Sequence, residues 1–284
     1  MTDSALAGQA PGEPRAGRNL PVAILVGLAL LAAVGGSLYF RKEVFIGFAV
    51  LAIGAALWEL SRALRRRDVH LPLLPLWVGT AGMLISTYTA GAEALMVSFV
   101  LTVAGMVVWR VVDGGGIAAV RDASAGVFAA SYLPLMAGFV MLMLREDNGR
   151  EQVLIFILLA VASDVGGYFA GVLFGRHPLA PSVSPKKSWE GLGGSFVLAL
   201  AVGVVVSVLV LEINPVIGIT LGFLSPLTAT LGDLAESLVK RDLELKDMGS
   251  LLPGHGGVLD RLDSMLLTAP FVYLLLSVAP DIPA

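Results

Sequence analysis

Residues 153–175 read VLIFILLAVASDVGGYFAGVLFG, an apolar run broken by a single charge, Asp164. Roughly 20 helical residues cross a hydrocarbon core of about 30 Å, so a run of this length spans a bilayer as one helix. Strands of a membrane barrel would instead alternate apolar and polar residues over about ten positions, a pattern this stretch lacks. An aspartate near the middle of an inserted helix costs about 2.5–3.5 kcal/mol, which is offset only where it meets a polar interior. Asp164, with Ser163 beside it and Tyr168 one turn on, therefore predicts an inward face. A helix-to-helix hydrogen bond or a polar cavity would each satisfy that carboxylate. Gly166, Gly167 and Gly171 on the same helix permit close packing, a structural feature of membrane helices.

Similar blocks occur along the whole chain. Nine candidate spans run over about 20–40, 44–60, 71–88, 92–112, 123–144, 153–175, 191–211, 214–234 and 265–279, the second and ninth being short. The 284 residues are 56% hydrophobic and 14% charged. Soluble domains carry about 25% charged residues, so a water-soluble globular fold is excluded and the fold class is an all-α, polytopic integral membrane protein. A net charge of −3 provides no global basic field, which argues against nucleic acid as a partner. Cysteine is absent, so any metal must sit on oxygen or imidazole.

Lys and Arg concentrate in cytoplasmic loops of membrane proteins, and this gives the orientation. If alternate connections lie on opposite sides, one side takes 15 of the 19 bases, and the other holds only Arg41, Lys42, Arg145 and Arg150. Nine spans with a cytoplasmic N-terminus satisfy this bias. Residues 1–19, rich in Gly, Ala and Pro, read as a disordered cytoplasmic tail. The first span reads as an uncleaved helix rather than a secretory signal. Residues 20–150 form an N-terminal set of about five helices, and 151–284 a C-terminal catalytic region with cytoplasmic loops at 176–190 and 240–264. The arginines at 62, 65, 66 and 67 read as a topology anchor.

Two loops carry the chemistry. The first holds Arg176 and His177, then Ser184, Pro185, Lys186, Lys187, Ser188, Trp189, Glu190 and Gly191, with Gly193 and Gly194 following. Adjacent lysines, two hydroxyls and a glycine-rich helix start suit phosphate oxygens, which need point charges and close N–H donors. His177 alone reads as a loop residue rather than a metal ligand. In the second region Asp233, Ser237 and Lys240 lie on nearly one helical stripe with Glu236 beside them. Farther on, Pro253–Gly257 reads as a tight loop, after which Asp260, Asp263 and Ser264 share a face as the last helix begins. Carboxylates from two segments can thus converge on a hard cation, with bases nearby for phosphates.

The order of residue types from Ser237 to Asp263 resembles the signature of the phosphatidate cytidylyltransferase (CDP-diglyceride synthase) family. Ser237, Lys240, Arg241, Lys246, Asp247, Gly249, Pro253, His255, Gly256, Gly257, Asp260, Arg261 and Asp263 supply its pattern at each position. The upstream Ser-Pro-Lys-Lys-Ser-Trp-Glu-Gly at 184–191 is similar to that family as well, with Ser188 where Thr is more frequent. The strong resemblance covers about 160–265; the first five helices match only in being apolar.

The resemblance implies cytidylyl transfer from CTP to phosphatidate, giving CDP-diacylglycerol and pyrophosphate in a cation-dependent reaction at the cell membrane, with the site facing the cytoplasm. By analogy with the family's paired-metal centre, Asp233 and Asp260 are the expected ligands of Mg²⁺ and of a second cation such as K⁺, with Asp263 and Asp247 as further candidates. Lys240, Arg241, Lys246 and Arg261 would bind triphosphate or lipid phosphate, joined by Lys186, Lys187, Ser184, Ser188 and Ser237. Gly256 and Gly257 would let backbone donors approach, His255 would position substrate, and Asp164 would line the cavity. A homodimer is the expected assembly. Two alternatives share parts of this pattern: a CTP-dependent membrane lipid kinase, which would move the γ-phosphoryl group, and an ion-coupled transporter using Asp164 and Asp233 as coupling carboxylates. No repeat relates 20–140 to 150–280, as many transporters would require.

Overall fold

A computed structural model describes residues 20–114, 116–254 and 256–279. The expected tail 1–19 and His255 lie outside the described residues. The helices are α1 (Leu20–Phe40), α2 (Lys42–Leu64, continued by a tight turn at Arg65–Arg67), α3 (Leu73–Ala90), α4 (Ala92–Asp113), α5 (Ile117–Ala130), α6 (Met136–Arg145), α7 (Gly149–Phe174), α8 (Trp189–Leu209), α9 (Pro215–Asp242) and α10 (Leu259–Val278). The π-helical turn Ser131–Leu135 joins α5 to α6, so that Ile117–Arg145 is one span. Among the described residues eight helices are long and apolar enough to cross a membrane, and α1 stands where the first span was expected.

The short spans prove longer than their apolar blocks. α2 begins at Lys42 rather than 44 and runs to Leu64; α10 starts at Leu259, ahead of the expected 265. Hydropathy marks only the part of a helix that can sit in hydrocarbon, whereas hydrogen bonding continues the helix into polar flanks. α9 likewise continues past 234 to Asp242, carrying Glu236, Ser237 and Lys240 on its last turns.

Connections are brief and their sequence explains them. Gly91, with φ +88°, makes the one-residue turn between α3 and α4, a backbone region glycine enters without a Cβ clash. Asn214 caps α9 by accepting from Val216 N at 2.9 Å, and Pro215 occupies the first turn, where its missing N–H costs no helical bond. Pro134 sits inside the π turn and removes one ladder donor there, which accounts for the widened winding.

Among the described residues, the first chemical loop holds the two paired strands of an otherwise helical fold. Strands β1 (Pro178–Ala180) and β2 (Ser184–Ser188) pair antiparallel, Pro178 opposite Ser188 and Ala180 opposite Ser184. Prolines 178, 181 and 185 forbid a helix there and favour extended backbone.

The C-terminal helices pack through glycine. A Cβ on Gly166 would collide with the carbonyl oxygen of Gly194, and one on Gly194 with Ala170, so α7 and α8 meet backbone to backbone. Ser195 Oγ donates to the carbonyl of Ser163 at 2.6 Å across this contact. Gly203 and Gly218 do the same for α8 and α9, and the hydroxyls of Thr228 and Thr268 join α9 to α10 at 3.0 Å. Leu57, Leu76, Leu133, Met141 and Ile155 centre the core between the two halves. Outward faces keep large apolar side chains such as Val100, Leu101 and Val108 exposed, as lipid contact requires.

Candidate active site

A cavity of about 180 Å³ opens between α7, α8, α9 and the hairpin, lined among others by Asp164, Lys186, Lys187, Ser188, Thr230 and Asp233. Each of these arrives for a local reason. Ser188 ends β2 and caps α8, its hydroxyl accepting from Gly191 N at 3.1 Å, which fixes the two lysines immediately before it at the cavity mouth. Glu190, in the first turn of α8, accepts from Arg176 N at 3.1 Å, from His177 N at 3.2 Å and meets His177 Nδ1 at 2.5 Å. The hairpin is thereby pinned to its helix, and His177 serves that purpose rather than metal ligation. Arg241 secures the hairpin's far end, its Nε donating to the carbonyl of Val183 at 3.0 Å.

Lys187 crosses the cavity to form an ion pair with Asp233. Asp233 also accepts from Ser237 Oγ at 3.3 Å, one helical turn along. Deeper in, Asp164 accepts from Ser264 Oγ at 3.4 Å, so α7 and α10 meet at the expected intramembrane carboxylate. Tyr168 does not share that inward face: it is 67% exposed and lies against Phe169. Four residues advance a helix by about 40° beyond a full turn, and Gly167 and Gly171 take the stripe that faces α8.

Asp233, Glu236 and Asp263 form a group whose carboxylate oxygens lie within 4.8 Å of one another, with Glu236 and Asp263 buried. Glu236 stands beside the α9 stripe in the sequence, without a site role there. Its Oε2 accepts from Lys240 Nζ at 2.6 Å, while its Oε1 is buried without a hydrogen-bond partner. The same ammonium reaches Asp260 Oδ1 at 3.0 Å. Asp260, expected to join Asp233 as a metal ligand, is not one of the three carboxylates in that group. Asp260 accepts from Met248 N at 3.0 Å and from Gly257 N at 3.0 Å as well, so both its oxygens hold the signature loop and Lys240.

Asp233 pairs with Lys187, and Glu236 and Asp260 share Lys240, while Asp263 adds a further carboxylate to the group. Concentrated negative charge in a low-dielectric bundle needs further positive charge to be stable. Hard carboxylate oxygens, one without a partner, suit a divalent cation such as Mg²⁺ by number and type.

Of the other expected residues, Ser184 lies in the hairpin opposite Ala180, while Lys246 and Asp247 stand exposed after α9. Gly256 has φ +87°, which lets the loop turn toward Asp260. Arg261 follows Asp260 on the exposed side of α10.

Two groups from the N-terminal half were missed. Glu59 on α2 is buried and accepts from Leu259 N at 3.0 Å and from Leu251 N at 3.5 Å. Tyr132, on the π turn, buries a hydroxyl that has no partner. A lone glutamate in an otherwise apolar span was the one available signal for Glu59. Arg67, read as part of a topology anchor, also donates to the carbonyl of Asp242 at 2.5 Å and to Glu244 at 3.2 Å, tying α2 to the end of α9.

Comparison with known proteins extends the match beyond these motifs. Residues 21–279 fit the model of the cytidylyltransferase family. The phosphatidate cytidylyltransferase of Mycobacterium leprae is 40% identical over 282 residues, covering 94% of this chain and 90% of that protein. The protein of the same name from Mycobacterium tuberculosis is 39% identical over 278 residues, covering 94% and 85%. That of Haemophilus influenzae is 41% identical over 156 residues, about half of each chain. With Lys186, Lys187, Ser188 and Asp233 on the wall of one cavity and a match running nearly end to end, the chain belongs to the cytidylyltransferase family.

Proposed function

We propose that this chain transfers a cytidylyl group from CTP to phosphatidate, giving CDP-diacylglycerol and pyrophosphate. An oxygen of the lipid phosphate forms a bond to the α-phosphorus of CTP; the bond from that phosphorus to the α–β bridging oxygen breaks, and its electron pair leaves on pyrophosphate. The observation that carries the reading is a cavity inside a membrane bundle where Lys187 meets Asp233 beside a three-carboxylate group, in a chain 40% identical to a phosphatidate cytidylyltransferase.

The main barrier is repulsion between two anions and charge developing on the leaving group. Lys186 and Lys187 would receive phosphate oxygens, Lys187 exchanging Asp233 for substrate, and Ser184, Ser188 and Ser237 would add hydroxyl donors. Lys240, Arg241, Lys246 and Arg261 would hold triphosphate or lipid phosphate, His255 and Asp247 would position it, and Gly256 and Gly257 would admit backbone donors. The nucleophile is already ionised near neutral pH, so no general base is assigned. Bound Mg²⁺ supplies Lewis-acid neutralisation of the triphosphate. Asp233, Glu236 and Asp263 would hold it, and Asp260, the second ligand expected from the resemblance, would contribute through the ammonium it shares with Glu236. A second cation such as K⁺ belongs to the same proposal.

The proposal assigns catalysis to 151–284 and support to 20–150, in the cell membrane with the cavity facing the cytoplasm, where CTP is found. The distribution of Lys and Arg supports that orientation. It also takes the working form as a homodimer, to be tested by native mass spectrometry from lipid nanodiscs. Reconstituted protein given phosphatidate, Mg²⁺ and γ-labelled CTP separates the enzymatic alternatives: label released as pyrophosphate supports cytidylyl transfer, and label in the lipid would mark a lipid kinase and overturn it.

A further inference from the structure

Glu59 is 1% exposed on a helix whose neighbouring positions are apolar, and its recorded bonds run to backbone N–H groups. Leu259 N, one of them, opens α10. The residue before it, Val258, contributes no capping side chain. The first N–H groups of a helix lack intrahelical acceptors and carry the positive end of its dipole, so a carboxylate from another helix is a strong substitute cap. Oxygens of the same side chain also receive Leu251 N, in the middle of the signature loop.

Two glycines of the signature lie where this carboxylate enters. A Cβ on Gly249 would collide with Glu59, and one on Gly257 would come within 2.6 Å of Glu59 Oε2 and 2.7 Å of Asp260 Oδ2. From the opposite side Asp260 gathers Met248 N and Gly257 N. The loop from 248 to 259 is thus suspended between two carboxylates 201 positions apart, one supplied by the N-terminal half of the chain.

We propose that Glu59 is a positioning residue for the transfer reaction: by capping α10 and holding the signature loop, it sets Asp260 against Lys240 and Asp263 against Asp233 of α9. This rests on the cytidylyltransferase reading of the site. The carboxylate, and not its volume, performs the task. Glutamine fills the same space but keeps one acceptor oxygen and turns an NH₂ toward a backbone donor.

The test compares full-length wild type with Glu59→Gln in lipid nanodiscs, by amide exchange over 248–259 and by cytidylyl transfer against Mg²⁺ concentration. Glu59→Gln is expected to speed exchange at Leu251 and Leu259, to lower kcat about tenfold and to raise half-saturating Mg²⁺ about tenfold. A mere fall in the folded fraction would leave the Mg²⁺ midpoint where it is. Glu59→Asp, which keeps two acceptor oxygens, should recover part of both losses. If Glu59→Gln fails to insert, Gly249→Ala displaces the same carboxylate from the loop side and must raise the Mg²⁺ midpoint. Wild-type exchange and Mg²⁺ dependence in whichever variant inserts would overturn the proposal. Should wild type itself move no label, the reaction reading falls, and exchange at Leu251 and Leu259 alone decides whether Glu59 holds the loop.

Discussion

Lys240 is the residue on which the charge balance of the site turns. Its ammonium bridges Glu236 at 2.6 Å and Asp260 at 3.0 Å, both deeply buried. Removing one partner of a buried ionic cluster leaves an uncompensated charge and costs about 3–5 kcal/mol. Lys240→Met is therefore expected to lower the thermal midpoint sharply as well as to abolish transfer, which scanning fluorimetry in detergent would register. Asp233 differs, because it lies at the cavity wall with 32% of its side chain exposed. Asp233→Asn should cut transfer by about 10²–10³-fold with insertion and amide exchange unchanged. Asp260→Asn should lose comparable activity but also loosen Met248 and Gly257, whose N–H groups it holds, and hydrogen exchange distinguishes the two variants. Most of these residues were legible because they recur three or four positions apart on one helix. The cross-chain partners were not: Lys187 meets Asp233, and Glu59 meets Leu259, across separations that no local pattern encodes.

At the scale of elements, the apolar blocks announced every helix, since a bilayer imposes its thickness on sequence directly. What they left out was polar. The ends of α9 and the start of α10 extend into charged flanks because their side chains find partners on each other, and hydropathy is blind to that. The hairpin at 178–188 was read as a loop: two strands of three and five residues carry too little alternation to register, although their prolines exclude helix. The close approach of α7 and α8 predicts a specific sensitivity. Gly166→Leu would drive a side chain into the carbonyl of Gly194, forcing apart the helices that line the cavity. Overpacking costs about 1–3 kcal/mol, so the expected result is reduced thermal stability together with lost transfer. Val205→Leu, at an exposed apolar position of α8, serves as the control that leaves both unchanged.

The whole molecule places a polar chamber inside an apolar bundle, so that a nucleotide from water and a lipid from the membrane can meet at one wall. Its two halves are tied by Glu59, which binds the start of α10, and by Arg67, which binds the end of α9. Orientation was read from charge alone, and the absence of cysteine makes it directly measurable. Single-cysteine variants at Ser182 in the hairpin turn and Asp147 between α6 and α7, both exposed, should label from opposite faces of the membrane, Ser182→Cys from the cytoplasm. Labelling of both from one side would reject the nine-span arrangement.

The central claim is tested most directly by supplying reconstituted wild-type protein with phosphatidate, Mg²⁺ and α-labelled CTP and following the label. Transfer into the lipid phase that ceases on chelating Mg²⁺ and fails in Asp233→Asn is the predicted result. Label that stays in the aqueous phase, or transfer that proceeds undiminished without divalent cation, would contradict it.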